Sequence, residues 1–456
     1  MKHILFISLE DCMPFFGCYG HPQVKTPNID GLAKDSMVFR NNFAQASVCN
    51  PSRASVITGK RPETTGVLGN FDEWRDKIPA DTGTLPQFFH DRGYRTLCIG
   101  KVVHQTQAYR DLAENGDELG RALWDEVLEN PGDEPPEREA VYPKTDWPAE
   151  FADWEGAEFM KKSMRWGPTG RSAEEHSDAK RARRAAEVFF EEHDKPFFLG
   201  IGFKSTHYAF RPPQEFFDMY YAEDIMLPNV PANSADQIPV AYPPFNTADE
   251  KRLSDEDKRQ LYANYFACVS YVDYCVGILV DKLKEAGIYD ETVICLWTDH
   301  GLHFGEHGFW RKETLFNEVG RVPLIIKHAD HAYRGATEEL TELVDIYPTL
   351  AELCGFDAPD GLEGTSLVPL MANPSREWKK GVFSIVRRGN ANRSIRTKKW
   401  RYSEWGGPTL RELYDEENDP REYRNLAYDP DYAGIRREMA ALLRKGWRAC
   451  LPRQTE

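Results

Sequence analysis

The chain has 456 residues, 41% of them hydrophobic and 29% charged, and a formal net charge of −16. These values describe a globular protein, either one large α/β domain with an appendage or two to three domains, and exclude a disordered or fibrous chain. The acidic balance also argues against a nucleic-acid partner, which needs a basic face, although local cations and a metal can still gather an anionic substrate.

Taken in chain order, short apolar runs alternate with amphipathic stretches. The runs "ILFIS" (4–8), "TLCIG" (96–100), "PFFLGIGF" (196–203), "TVICLWT" (292–298) and "VPLII" (322–326) are continuous rather than alternating. Strands buried on both faces of a largely parallel sheet have that texture. Helical periodicity marks 177–192 and 258–287. In the second, Tyr262, Phe266, Val269, Val272, Val276 and Leu279 form a core stripe, with Gly287 as a C-terminal stop. Residues 105–175 are acidic, rich in Pro, Trp and Gly, and without period; such an insertion reads as a lid, a substrate-shaping loop or a disordered segment. Composition shifts again after residue 374, so 1–375 form the main domain and 376–456 a small α+β appendage.

Nine cysteines without zinc spacing or a paired framework indicate a reducing compartment. "MKHILFISLED" has no basic leader, and no apolar run approaches the roughly 20 residues of a membrane helix. The expectation is a cytoplasmic protein with no membrane partner, or a periplasmic one if a leader precedes this chain. Oligomeric state is not legible.

Chemistry-bearing residues collect after two of the buried strands. Glu10 and Asp11 follow "ILFISL", and Asp299 and His300 follow "TVICLWT". Ligands of open α/β sheets bind beyond the carboxyl ends of strands, so both pairs can converge on one cation. Each pair alone reads more simply as a turn or helix cap. Together, three carboxylates suggest Ca²⁺ or Mg²⁺, and the imidazole leaves Mn²⁺ or Zn²⁺ open. Cys49, in "SVCNPSRASVITGKRP" (47–62), is by residue type a buried spacer, a thiol nucleophile or a precursor of another group.

"CNPSR" (49–53) with "ASVITGKRP" resembles the signature of the type I, formylglycine-dependent sulfatases. "ILFISLED", "GCYG", "TPNIDGLA", "GKVVH", "FKSTH", "TDHGLHFGEHGFWRK" and "ELVDIYPTLAELCG" resemble further landmarks of that family in the same order. The resemblance spans nearly the whole chain and is closest to iduronate-2-sulfatase-like members. It implies an alkaline-phosphatase-like α/β fold, a large mixed, mostly parallel sheet flanked by helices with a small C-terminal α+β subdomain. The implied reaction is metal-dependent hydrolysis of a sulfate monoester, with sulfur–oxygen cleavage.

The same resemblance assigns roles. Cys49 would be oxidised to formylglycine by a formylglycine-generating enzyme; one hydroxyl of the hydrated aldehyde attacks sulfur and the other later expels sulfate. Glu10, Asp11, Asp299 and His300 would hold the cation, Ca²⁺ first, with Mg²⁺ or Mn²⁺ as alternatives. Arg53, one helical turn after Cys49, would hold the nucleophile's oxygens, and Lys101 and Lys312 would clamp the sulfate. His104 would take the nucleophile's proton, and His207 would protonate the leaving alcohol. His303 and His307 are structural or substrate contacts. Glu10 departs from the family's usual aspartate, moving the carboxylate outward by roughly 1.5 Å. The implied substrate is a sulfated saccharide, with the 2-O-sulfate of a uronic acid favoured. The rival readings are a phosphonate or phosphate ester hydrolase of the same fold, a catalytically silent binder of sulfated glycans, and, further off, a cysteine hydrolase.

Overall fold

The first apolar run folds as β1 (His3–Leu9), every residue of which is buried. The computed structural model describes residues 2–78, 82–104, 123–133, 135–151, 153, 157–238, 244–388 and 390–452. β1 is central to an eight-stranded sheet with β2 (Met37–Phe43), β3 (Arg95–Gly100), β4 (Glu126–Val127), β5 (Phe197–Phe203) and β6 (Thr292–Thr298). After a two-stranded hairpin of β7 (His303–Phe304) and β8 (Trp310–Arg311), the sheet is completed by β9 (Leu324–Lys327) and β10 (Gly335–Glu342). The order is β10-β2-β9-β6-β1-β5-β3-β4. β9 pairs antiparallel with both β2 and β6, and the other pairs are parallel.

Alternation along β1 explains the continuous apolar run. Ile4 and Phe6 enter one hydrophobic cluster, with Val56, Ile57 and Phe89; Leu5, Ile7 and Leu9 enter another, with Tyr265, Phe266 and Val269. Both faces therefore contribute apolar burial. The five apolar runs all become strands, but "VPLII" contributes the antiparallel β9.

The helix Asp255–Glu285 begins at a Ser254–Asp257 capping box and stops at Gly287, whose φ of +73° suits a residue without Cβ. Tyr262, Phe266, Val269, Val272, Val276 and Leu279 are all buried, and so are Leu261, Tyr265, Cys268 and Tyr271 on the helix's other flanks. The sequence expectation that no segment is long and apolar enough to cross a membrane needs correction here. By length and composition this helix is, although most of its apolar stretch is buried inside the protein. Scattered Tyr, Ser and Asp residues hide it from a search for unbroken apolar runs.

Strands β11 (Val382–Arg388), β12 (Asn390–Arg396), β13 (Trp400–Trp405) and β14 (Leu410–Asp415) form an antiparallel sheet, packed by the helix Ala433–Lys445 through Ile395, Leu413, Met439 and Leu443. This sheet is sewn to the large one: Ile385 N–H donates to the Gln45 carbonyl at 2.9 Å, three residues before Val48 and the Cys49 helix. In the expected insertion, residues 105–122, 134, 152 and 154–156 lie outside the described residues. The described remainder is largely irregular, with Trp124 and Trp166 buried as anchors.

Candidate active site

Four parallel strands end at one edge and deliver the site. Leu9 of β1 is in register with Phe203 of β5 and Thr298 of β6, and Gly100 of β3 with Gly202 of β5. The next residues are Glu10–Asp11, Lys204–His207, Asp299–His300 and Lys101. Close approach of β3 and β5 demands glycine at 202, where a Cβ would lie 2.2 Å from the Lys101 carbonyl carbon.

Cys49 opens the helix Cys49–Thr58 and is 1% exposed. Its Sγ lies 3.1 Å from Lys312 Nζ and 3.2 Å from His300 Nε2. Burial pushes the thiol up, but the Lys101 and Lys312 ammoniums outweigh it and hold the thiol below its ordinary range. The helix N-terminus adds positive potential at the same point.

Asp11 adopts φ +52°, a strained conformation for a residue with a side chain. The bend lets its N–H donate to Asp299 Oδ1 at 3.0 Å, an oxygen that also accepts from the His300 N–H at 3.0 Å. Lys312 Nζ donates to both Asp11 carboxylate oxygens, at 2.9 and 3.0 Å. Lys101 donates to Glu10 Oε1, while Glu10 Oε2 is buried with no hydrogen-bond partner. Burial raises the Glu10 and Asp299 carboxyls, yet neighbouring cations, Lys101 for Glu10 and Arg53 for Asp299, win and leave both well below the usual range.

Arg53 is fully buried and feels the charge of Cys49 as well as those of Asp299 and Glu10. Its Nε donates to Asp299 Oδ2 at 2.8 Å, and its other nitrogens donate to the carbonyls of Val102 and Leu9 at 3.0 and 3.4 Å. The guanidinium is thereby directed at Asp299 and the strand ends. His207 Nδ1 lies 2.6 Å from the Tyr208 carbonyl and so carries the proton there; Nε2 faces Glu10 Oε1 and Asp11 Oδ2, each at 3.8 Å. His104 Nδ1 is buried without a partner among the described residues, and burial together with the Lys101 and Arg53 charges lowers its pKa to about 3. His303 bonds Thr314 Oγ1 at 2.7 Å and His307 bonds Ser234 Oγ at 3.0 Å, both deep in the fold.

The donor set fits a hard divalent cation. Asp11, Cys49, Asp299 and His300 bring ligand atoms within 4.8 Å of one another, and Glu10, Asp11 and His207 do the same. Three carboxylates, one with an unpartnered oxygen, are what Ca²⁺ or Mg²⁺ coordination requires. Lys101, Lys312 and Arg53 already balance those three charges, so a dication makes the pocket net positive and receptive to an anion.

Several positioning residues escaped sequence reading. Tyr265 O–H donates to the Asp11 carbonyl at 3.0 Å and accepts from Met13 N–H at 2.8 Å, clamping the strained turn. Ser52 Oγ donates to the Asp299 carbonyl at 2.6 Å, and Thr206 does the same for Glu10. Tyr265 sits beside the apolar stripe, so only its deep burial as a phenol signals a polar duty.

A mostly parallel α/β sheet with acidic and cationic side chains at its carboxyl edge, joined to a small antiparallel sheet, is an alkaline-phosphatase-like fold. The chain superposes on the phosphonate monoester hydrolase of Agrobacterium radiobacter with a TM-score of 0.77 at 24% identity, covering 98% of this chain and 96% of that one. It belongs to the sulfatase family, whose model matches residues 2–356, and it is a sulfuric ester hydrolase. A second model, for the C-terminal part of N-sulphoglucosamine sulphohydrolase, matches residues 305–448. A sulfatase of Formosa agariphila is 28% identical, over 97% of this chain and 86% of its own length. The iduronate 2-sulfatase of Mus musculus is also 28% identical, over 95% and 92%.

Proposed function

We propose that this sulfatase removes sulfate from a sulfated saccharide, the 2-O-sulfate of a uronic acid before others, after conversion of Cys49 to formylglycine by a formylglycine-generating enzyme. The observation that carries the reading is the position of Cys49 Sγ, between Lys312 Nζ and His300 Nε2 and beside the carboxylate cluster. The landmark motifs and the iduronate 2-sulfatase relative favour the uronic acid.

Formylglycine supplies a hydrated-aldehyde oxygen as nucleophile, and a divalent cation held by Glu10, Asp11, Asp299 and His300, Ca²⁺ first, supplies Lewis-acid charge. The chain's own residues do the rest. The Lys101 and Lys312 ammoniums meet the sulfate oxygens and offset charge as the ester bond breaks. Arg53 fixes Asp299. His207, with Nδ1–H bound to the Tyr208 carbonyl, keeps Nε2 toward the pocket to carry a proton to the leaving alcohol. Its side chain is 38% exposed against 1% for Cys49, so the alcohol departs toward solvent. His104 is held neutral by burial and the adjacent cations, which keep it a weak base until a bound anion offsets them.

The test has two readouts on protein made in its own host. Mass spectrometry of the tryptic peptide "NNFAQASVCNPSR" reads whether Cys49 has lost its sulfur. Values of kcat/KM are then compared for aryl sulfate, aryl phosphate and phosphonate monoesters, and for 2-O-sulfated uronate against 6-O-sulfated glucosamine. Expected are an aldehyde or its hydrate, preference for sulfate, and preference for the uronate. A persistent alkylatable thiol sinks the maturation reading, phosphonate preference the reaction, and glucosamine preference the substrate.

A further inference from the structure

A cavity of about 600 Å³ lies between the Met13–Pro22 loop, the outer strands β2 and β10, and the C-terminal sheet, and it shares no lining residue with the site around Cys49. Its volume falls within the roughly 300–1,000 Å³ of small-ligand sites. Asn317, Glu318, Arg321, Arg396, Glu416 and Arg421 supply its polar wall, and Phe15 and Phe43 an apolar one.

Two observations on that wall are independent of each other. First, its cations are incompletely neutralised. Arg396 is engaged by Glu416 and Glu422, but Arg421 only reaches Glu318 and Glu306 at 3.7 and 3.8 Å. Arg321 is exposed and makes no ion pair among the described residues. Second, three buried polar atoms there lack any hydrogen-bond partner: Asn317 Oδ1, Glu318 Oε2 and Glu416 Oε1. Such atoms are costly to leave unpaired.

The two demands differ. Guanidiniums call for an anion with several acceptor oxygens. The amide oxygen calls for a donor and the carboxyl groups for a partner that can both donate and accept, which a bare sulfate dianion is not and hydroxyl groups are. No three His, Cys, Asp or Glu donors here converge as a metal cluster does, among the described residues. We propose that the cavity is a second binding site for a sulfated saccharide, with its sulfate on Arg321 and Arg421 and its hydroxyls on Asn317, Glu318 and Glu416. The proposed function enters only in the choice of a sulfate ester as the anion. The site is distinct from the one around Cys49 and tied to it through the backbone: the Gly301 N–H, next to His300, donates to the Val319 carbonyl at 2.8 Å, between Glu318 and Arg321.

The experiment uses the full chain carrying Cys49→Ala, which prevents turnover, titrated calorimetrically with a 2-O-sulfated uronate–glucosamine disaccharide. Expected is a binding event that weakens by about tenfold or more on Arg321→Gln, as loss of a forked charge-assisted contact requires, and that Lys312→Met leaves in place. The desulfated disaccharide and inorganic sulfate at equal concentration should neither bind nor displace there. Absence of Arg321-dependent binding overturns the inference, and equal displacement by inorganic sulfate overturns its saccharide part. If Arg321→Gln fails to fold, Arg421→Gln, at an exposed position, gives the same readout. In the Cys49-containing host-made enzyme, Arg321→Gln should leave aryl sulfate turnover unchanged. Missing turnover in that enzyme would count against the proposed function while leaving the binding result readable.

Discussion

Arg53 and Asp299 form an ion pair, Nε to Oδ2 at 2.8 Å, in which neither side chain is exposed to solvent. Because the same guanidinium also holds the Val102 and Leu9 carbonyls, one side chain ties the Cys49 helix to the ends of β1, β3 and β6. Removing it strands a buried carboxylate. Arg53→Ala is expected to cost about 3–5 kcal/mol of unfolding free energy, the range for halving a buried pair. Urea denaturation measures it, and a loss under about 1 kcal/mol would show that the pair is not a structural clamp.

Lys312 stands 3.1 Å from Cys49 Sγ and also donates to both Asp11 carboxylate oxygens. Lys312→Met keeps the bulk of the stem and deletes the charge. A drop in kcat/KM for an aryl sulfate of about 10²–10³-fold is expected, as for other single donors to developing charge. Less than a tenfold drop would leave Lys101 as the sole clamp.

Chelation should abolish turnover, and Ca²⁺ should restore it, with Mg²⁺ or Mn²⁺ as the competing outcomes. Glu10→Gln removes one of three ligand charges while keeping the shape, so the cation concentration giving half activity should rise by about tenfold. Thermal melts give a second reading: at a hundredfold excess over Kd the cation adds about 2.7 kcal/mol of stability. Equal melting temperatures with and without cation would argue against a resident metal.

Glu318 gives a pH prediction away from the metal ligands. Burial, with Glu306 and Glu422 nearby, pushes its carboxyl up to about 8. The fold therefore prefers the protonated acid more than the unfolded chain does. Its contribution is fully present below the ordinary pKa near 4.5 and is lost as pH rises through about 8. Glu318→Gln, a permanent stand-in for the protonated form, should be close to neutral at pH 4.5 and stabilising by roughly 1–3 kcal/mol at pH 8. Denaturation midpoints of both proteins across that range decide it; parallel curves would mean that the carboxyl ionises as freely in the fold as outside it.

Gly202 faces the Lys101 backbone so closely that any side chain must displace it. Gly202→Ala should cost about 1–3 kcal/mol through overpacking and depress kcat/KM more than Ala substitution at Gly287, which terminates a helix far from the site. If both variants lose activity only in proportion to stability, the β3–β5 contact does not position Lys101.

The sequence made most of the large sheet legible because strands buried on both faces carry unbroken apolar runs. The runs in β1, β3, β5, β6 and β9 are of this kind. It hid β2 and β10, "MVFRNNF" and "GATEELTE", because consecutive polar residues interrupt both strands, and Asn42, Thr341 and Glu342 are buried all the same. The direction of β9 was also hidden, since an apolar run has no polarity of its own. At the site, strand ends and the ordered motifs brought Glu10, Asp11, Cys49, Asp299 and His300 together, as the structure does. What stayed out of reach was support through long-range backbone contacts. Tyr265, Ser52 and Thr206 each meet carbonyls of the metal-ligand turns, and no local spacing encodes such meetings.

The pairing of β2 has a consequence for how the protein is made. This strand leads directly into the Cys49 segment, yet its sheet partners are β9 and β10, encoded by residues 324–342. A ribosome must therefore complete most of the catalytic part before the cradle around the thiol can close. Once closed, it leaves Cys49 at 1% exposure behind Lys312 and His300. On the proposed reading, the maturing enzyme meets its target on the nascent chain, during the interval that high contact order creates. Folding then both seals the modified residue from further chemistry and assembles the charges that put it to use.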